Sequence, residues 1–513
     1  MAARFGGLLS PALLSPAFLS PAFIAALGAG AISVLAFAPF GLFPLLVLSL
    51  AVLVRVLERT ESARTGFILG LAWGLGAFLA GVSWLYVALN RYGGMPMPLA
   101  ALAILLVCLY LALYPALVGA LYVRLRSGGA ASRTLLFAAL WLLSEWLRGV
   151  VFTGFPWLAS GYSQTPPSPL AGYLPVIGVY GLGGVLAFIS SLLVLAPWPK
   201  WRTAMKPVAL VAGLVAGLLV LGAGLGRVAW TEAEGDALSV ALIQTNFEQG
   251  LKWREDQFVG VLQANLRLVR ESRADLVVLP ETTLPALVDR LPAGYLDLLG
   301  DMVRERGGAL VLGVFTSGQP GQIHNAAISV GNGPQQHYAK QHLVPFGEYS
   351  PPLFGWFYRV ADIPMSDQTG GGPGQRPMAL LGQRIAVNIC YEDLFGAELL
   401  ASLPEATLML NLSNLAWYGD SLAQPQHLQI ARVRALETGR PMLRSTNTGM
   451  TALIQPDGSV EAVLPAFEQG VLEVEVRGYG GMTPYARWGN WPALALAVGL
   501  VFLVARPRRR ECQ

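Results

Sequence analysis

Asn388-Ile389-Cys390-Tyr391-Glu392-Asp393 ends the apolar run Arg384 to Cys390 and puts a thiol where a strand gives way to a polar turn. Two upstream phrases have the same design. Leu279-Pro280-Glu281-Thr282-Thr283 follows the run Asp275 to Leu279, and Tyr338-Ala339-Lys340-Gln341-His342 leads into Leu343-Val344-Pro345. A thiol, a carboxylate and an ammonium at strand ends are the parts of an activated nucleophile and its oxyanion stabiliser. Further short apolar runs cover Leu238 to Gln244, Ala309 to Phe315, Ala326 to Val330 and Thr407 to Asn411. Helical periods cover Glu255 to Arg273 and Gln424 to Thr438, so this part of the chain is expected to be a layered α/β domain. Such folds carry their reactive groups at strand ends and in the loops that follow.

The rest of the chain reads differently. Only 13% of the residues are charged and 54% are hydrophobic, with mean hydropathy +0.52; ordinary soluble domains carry roughly 25% charged residues. A net charge of +4 with dispersed arginines gives no case for nucleic acid. Cys108, Cys390 and Cys512 lie far apart, which leaves no disulfide framework and no CxxC metal knuckle. A span needs about 20 apolar residues. Residues 5–54 lack charge and are expected to hold two spans around Pro39-Phe40-Gly41. Others are expected near 66–90, 98–123, 134–152, 175–197 and 208–226, and an eighth at 488–505. The resulting division is 1–229 membrane domain, 230–487 α/β domain, and 488–513 a last span with a basic tail.

The cations set an orientation. Alternate loops hold Arg55, Arg59 and Arg64, then Arg124, Arg126 and Arg133, then Lys200, Arg202 and Lys206; the tail adds Arg506, Arg508, Arg509 and Arg510. Short loops rich in Lys and Arg stay in the cytoplasm, so the α/β domain is expected outside it. The Leu-Ser-Pro-Ala repeat spanning Leu8 to Ala22 has too much proline for one continuous helix and reads as a low-complexity lead-in.

Glu281, Lys340 and Cys390, in that order and in the phrases LPETT, KQHLVPFGEY and NICYEDLF, resemble the nitrilase superfamily. The membrane frame makes the chain similar to the apolipoprotein N-acyltransferases, through Ser144 to Arg148, Gly154 to Trp157, Gly161 to Gln164, Leu251 to Trp253, Arg434 to Glu437 and Arg444 to Gly449. That resemblance implies a helical membrane bundle carrying an extracytoplasmic αββα sandwich in a bacterial inner membrane. It implies acyl transfer from a membrane phospholipid to the amine of a diacylglyceryl-cysteine apolipoprotein, through a thioester on Cys390. Glu281 would act as base and Lys340 as oxyanion donor, with Glu348, Tyr391 and Glu392 supporting. Trp253 and Trp417 would sit on mobile loops near the pocket mouth. No cofactor or metal is implied. The family phrase NDAWFG reads Asn414-Leu415-Ala416-Trp417-Tyr418-Gly419 here, so the loop after Asn414 is expected to be held differently.

Each residue also has a plainer reading. Taken alone, Cys390 is a small buried hydrophobe, and Glu281 and Lys340 are surface charges. His324, His337, His342 and His427 lack metal-ligand spacing and read as hydrogen-bonding groups. Gly370 to Gly374 lacks the GK[ST] ending of a phosphate loop and reads as a flexible loop. Glu145 and Arg148, three residues apart on the fifth span, are either a self-satisfied helix pair or a contact for headgroup or substrate. Two rival functions are a membrane-tethered amidase that hydrolyses the acyl-enzyme and an inactive membrane scaffold. No further domain is expected after Arg510.

Overall fold

The computed structural model describes residues 20–197, 205–351 and 367–505. Lys200, Arg202, the tail cations, Cys512 and most of the N-terminal repeat lie outside these residues. The uncharged stretches form helices Pro21–Ser33, Pro44–Glu58, Ala63–Val82, Met97–Leu125, Ala130–Arg148, Leu174–Leu195 and Met205–Leu225, and Trp491–Ala505 follows the sheets. Among the described residues, Ala63–Val82, Met97–Leu125, Pro169–Leu195 and Met205–Leu225 are long and apolar enough to cross a bilayer. The first two helices have only 13 and 15 residues, and the last is described over Trp491–Ala505. Fifteen residues span about 22 Å, short of the ~30 Å hydrocarbon core. The first two are shorter than their apolar stretch because Pro39 and Gly41 interrupt it, and Gly489, at φ +57°, lies just before the last.

Small residues let the bundle close. A Cβ on Gly70 would lie 2.1 Å from the Pro115 carbonyl oxygen, so Ala63–Val82 and Met97–Leu125 meet backbone to backbone. One end of the bundle is cationic. Arg126 donates to the Leu57 carbonyl (2.7 Å), Glu58 pairs with Arg126 and Arg133, and Ser127 donates to the Val504 carbonyl. The opposite end of Ala130–Arg148 runs into the loop 149–164, which carries the sheets.

Strands β1 (Thr231–Gln244), β2 (Leu276–Val278), β3 (Leu284–Leu287), β4 (Ala309–Ser317), β5 (Ile323–Gly331) and β6 (His337–Ala339) come first. They are followed by β7 (Met378–Leu380), β8 (Gln383–Ile389), β9 (Leu408–Ser413), β10 (Met442–Thr446), β11 (Ala452–Ile454) and β12 (Val460–Val463). Strand β13 (Gly470–Gly481) returns to pair antiparallel with β1, which gives sheets ordered β13-β1-β2-β4-β5-β6 and β12-β11-β10-β9-β8-β7.

The period-2 alternation of side chains sorts them between layers. Val240, Leu242, Leu276 and Val278 face Leu408, Leu410 and Leu412 of the other sheet. Their neighbours Ala241, Ile243, Val277 and Leu279 face the helices Glu255–Glu271 and Tyr295–Arg304. On the far side, Met409 and Met442 pack on Leu428, Ala431 and Ala435 of helix Ala423–Thr438. The domain is therefore an αββα sandwich.

Helix Ala423–Thr438 is the keystone. Only Pro425 and Arg432 of its residues escape full burial, although many of the others are polar. Its membrane-facing side meets the bundle through side-chain hydrogen bonds. Trp157 Nε1 donates to Gln426 (2.8 Å), the Ala38 N–H to Gln429 (3.0 Å), and Arg434 to the Tyr162 hydroxyl (3.0 Å). Glu437 accepts from the Val179 N–H (2.7 Å), next to the point where Gly178, at φ +66°, interrupts Leu174–Leu195.

Candidate active site

Glu281, Lys340 and Cys390 sit just beyond β2, β6 and β8, and all three are buried. Lys340 Nζ lies 3.4 Å from Glu281 Oε1 and 2.6 Å from Glu348 Oε1. Asn325, from β5, donates to Glu281 (2.8 Å) and more weakly to Glu348 (3.4 Å), so one amide spaces the two carboxylates around the ammonium. Glu281 Oε2 accepts the Asn414 N–H at 2.7 Å.

Burial works against every charge here, and the neighbours decide the outcome. Burial alone would lower Lys340, but Glu348, Glu281 and the Cys390 sulfur outweigh it and hold the ammonium charged, well above the ordinary lysine range. For Cys390, burial and then Glu281 push the thiol well above its usual value, with Lys340 pulling the other way. Burial and the Glu281 carboxylate thus favour the protonated form of this sulfur.

Glu392 ties two strand ends together. One oxygen accepts from the Gln341 N–H (2.6 Å) and the His342 N–H (3.0 Å), the other from the Ile389 N–H (2.6 Å), and Tyr338 donates to both. The residue after Lys340 is thereby fixed to the residue before Cys390. Burial pushes Glu392 up to about 7, against the pull of Lys340 and of these backbone donors.

The other sequence-selected residues lie around this centre. Tyr391 turns away from it and donates to the Gly154 carbonyl (2.9 Å), beside Phe155. Trp253 is half-buried, 5.9 Å from Phe315. Trp417 is half-buried against Tyr92 of the bundle. Leu415 is buried against the inter-sheet core, so an apolar contact anchors the Asn414 loop. Glu145 and Arg148 are buried at the bundle end. Glu145 accepts from the Ser160 N–H and hydroxyl (both 2.7 Å), and Arg148 donates to the carbonyls of Phe155 and Trp157 (both 2.6 Å). Their bonds hold the loop that Tyr391 touches.

Sequence reasoning missed Asn325, which directly precedes the apolar run Ala326 to Val330 and carries no local signal of its own. It also missed Lys252 as a site group. This buried lysine donates to the Thr282 hydroxyl (2.8 Å), and burial draws it down to about 7 despite Glu281.

Comparison with known proteins agrees with this architecture. The family model for the apolipoprotein N-acyltransferase N-terminal domain matches residues 29–192, and that for carbon-nitrogen hydrolase matches residues 239–485. An apolipoprotein N-acyltransferase of Nitrosomonas europaea is 45% identical over 92% of this chain and 94% of its own length. The chain belongs to the apolipoprotein N-acyltransferase family. Members of this family are acyltransferases with a carbon-nitrogen hydrolase domain. A Ralstonia nicotianae relative with the same name is 45% identical over 93% of this chain and 91% of its own. An amidase from Nesterenkonia sp. AN1 aligns in structure at 20% identity, covering 49% of this chain and 95% of that one, with a TM-score of 0.36.

Proposed function

We propose that this family member moves an acyl chain from a membrane phospholipid to the N-terminal amine of a diacylglyceryl-cysteine apolipoprotein, in two steps through Cys390. Glu281 takes the thiol proton, and Sγ attacks the ester carbonyl carbon. Lys340 stabilises the oxyanion of the tetrahedral intermediate. The carbon–oxygen bond then breaks, the lysophospholipid leaves as an alcohol carrying the proton from Glu281, and a thioester remains. In the second step the α-amine attacks the thioester and loses a proton to Glu281. The carbon–nitrogen bond forms, the carbon–sulfur bond breaks, and the thiol is restored. A thioester is a better acyl donor to an amine than an oxygen ester, so one hard step becomes two easier ones.

The observation that carries this reading is the meeting of three strand ends from two sheets at one buried cluster, with Lys340 3.4 Å from Glu281 and the Cys390 thiol in the field of both. Glu348 keeps the ammonium oriented. Placement supports a membrane substrate, because the sandwich joins the bundle at the end opposite Arg126 and Arg133. The cation-rich end takes the cytoplasmic side, and the sandwich lies on the extracytoplasmic side of a bacterial inner membrane. Trp253 and Trp417, half-buried on their loops, flank the approach for the lipid chains.

The test is discharge of the acyl-enzyme. Purified protein loaded from phosphatidylethanolamine should lose its acyl chain to a diacylglyceryl-cysteine peptide much faster than to water, followed by intact mass. Loss to water at the same rate as to peptide would make it an amidase.

A further inference from the structure

Cys390 has φ +54°, a left-handed backbone that a side-chain-bearing residue adopts only when its surroundings impose it. A buried polar group behind it supplies the constraint. Asn411 of β9 donates to the Cys390 carbonyl (3.2 Å) and to Asn388 (2.6 Å), and its own oxygen accepts from Arg444 (3.0 Å). Arg444 also reaches His427 Nδ1 (2.7 Å) and Asp393 Oδ2 (3.3 Å), while His427 Nε2 lies 2.7 Å from Asp393 Oδ1.

The proton positions follow from the donor inventory. A guanidinium can only donate, so Nδ1 of His427 is an acceptor, and the ring proton sits on Nε2, which donates to Asp393. Asp393, His427 and Arg444 then form a closed triangle with one positive and one negative charge, each member at most 1% exposed. Asp393 is three residues past the nucleophile, so the triangle grips the turn from within, and Asn411 grips its carbonyl. The third side of His427 meets the bundle. The Trp157 ring is 5.6 Å from the imidazole, and the Trp157 carbonyl is held by Arg148.

We propose that Asp393, His427 and Arg444 act as one positioning unit, which holds Cys390 in its left-handed turn and couples that turn to the membrane-side loop through Trp157. The inference rests on the acyl-loading role given to Cys390 above. None of the three touches the reacting atoms. Their loss should slow the chemistry while leaving lipid binding in place.

The test uses the full-length protein in phosphatidylethanolamine vesicles and follows initial acyl loading of Cys390 against lipid concentration. His427→Ala should lower the saturating rate about 10- to 100-fold, the usual effect of misplacing a reacting group. The half-saturating lipid concentration should stay within about twofold. His427→Gln keeps a donor for Asp393 and should recover most of the loss. Combining His427→Ala with Asp393→Asn should be no slower than the slower single variant, because members of one unit are not additive. If His427→Ala does not fold, Asp393→Asn carries the comparison. Iodoacetamide alkylation of Cys390 in lipid-free detergent needs no acyl donor, and its rate should change in His427→Ala as the thiol leaves its place between burial, Glu281 and Lys340. Unchanged loading and alkylation, additive effects, or a change confined to half-saturation would overturn the proposal. A wild-type protein that alkylates normally but never loads acyl chain would sink the acyl-transfer reading instead. The change in alkylation would still decide the positioning role.

Discussion

Helices Met205–Leu225 and Ala423–Thr438 are opposites in composition and in surroundings. The first is apolar apart from Lys206 in its first turn, yet only Gly222 is buried among its residues, and in a bilayer its surface faces lipid chains. The second carries Gln424, Gln426, His427, Gln429, Arg434 and Glu437, and all of them are buried. Hydropathy describes a helix correctly where its neighbour is a solvent. Where its neighbours are other elements, the deciding quantity is whether each polar group has a partner.

The strongest way to break this contrast is to remove a partner from the polar helix. Glu437→Ala leaves Arg434 buried without its 2.6 Å carboxylate and the Val179 N–H without an acceptor. The loss should be about 3–5 kcal/mol, the range for breaking one side of a buried pair, read as earlier thermal unfolding in detergent. A variant as stable as wild type would mean that partners do not decide burial there.

The next test carries the argument into the site, where the buried Cys390 thiol is pushed up by burial and by Glu281. Because the folded value is raised, the thiolate is scarce at neutral pH, and alkylation should climb as pH rises past the ordinary thiol range. Glu281→Gln removes a negative neighbour, so the alkylation profile should move to lower pH. Acyl loading should nevertheless fall about 100-fold, because the base is gone. A profile that moves to higher pH would contradict the assigned electrostatics.

The smallest effect belongs to the apolar helix. Val220→Ala changes a side chain that is 71% exposed, and stability should stay within about 0.5 kcal/mol. A larger loss would show that this face is covered by protein.

The same contrast explains what the sequence made legible. The bundle stretches and strands β1, β2, β4, β5, β8 and β9 followed from apolar runs, because lipid-facing helices and doubly covered strands both write themselves as hydrophobicity. Glu281, Lys340 and Cys390 stood out as reactive groups at strand ends. The strands from β10 to β13 were not resolved, since Arg444, Ser445 and Thr446 make β10 look polar although all are buried. Asn325, Lys252 and the group around His427 were hidden for a related reason. Their roles lie in contacts between residues far apart in the chain, such as Asn325 with Glu281 and Arg444 with Asp393, and no local period encodes such pairs. Glu145 and Arg148 stood out as ionisable residues in an apolar stretch. Their partners, the carbonyls of Phe155 and Trp157 and the backbone of Ser160, became visible only once the loop was folded back.

The most direct measurement of the central claim is the intact mass of the protein after incubation with phosphatidylethanolamine vesicles. Wild type should gain the mass of one acyl chain, mapped to Cys390, and Cys390→Ala should gain none, while Lys340→Ala gains it slowly. An equal gain in Cys390→Ala, or none in wild type, would contradict the account.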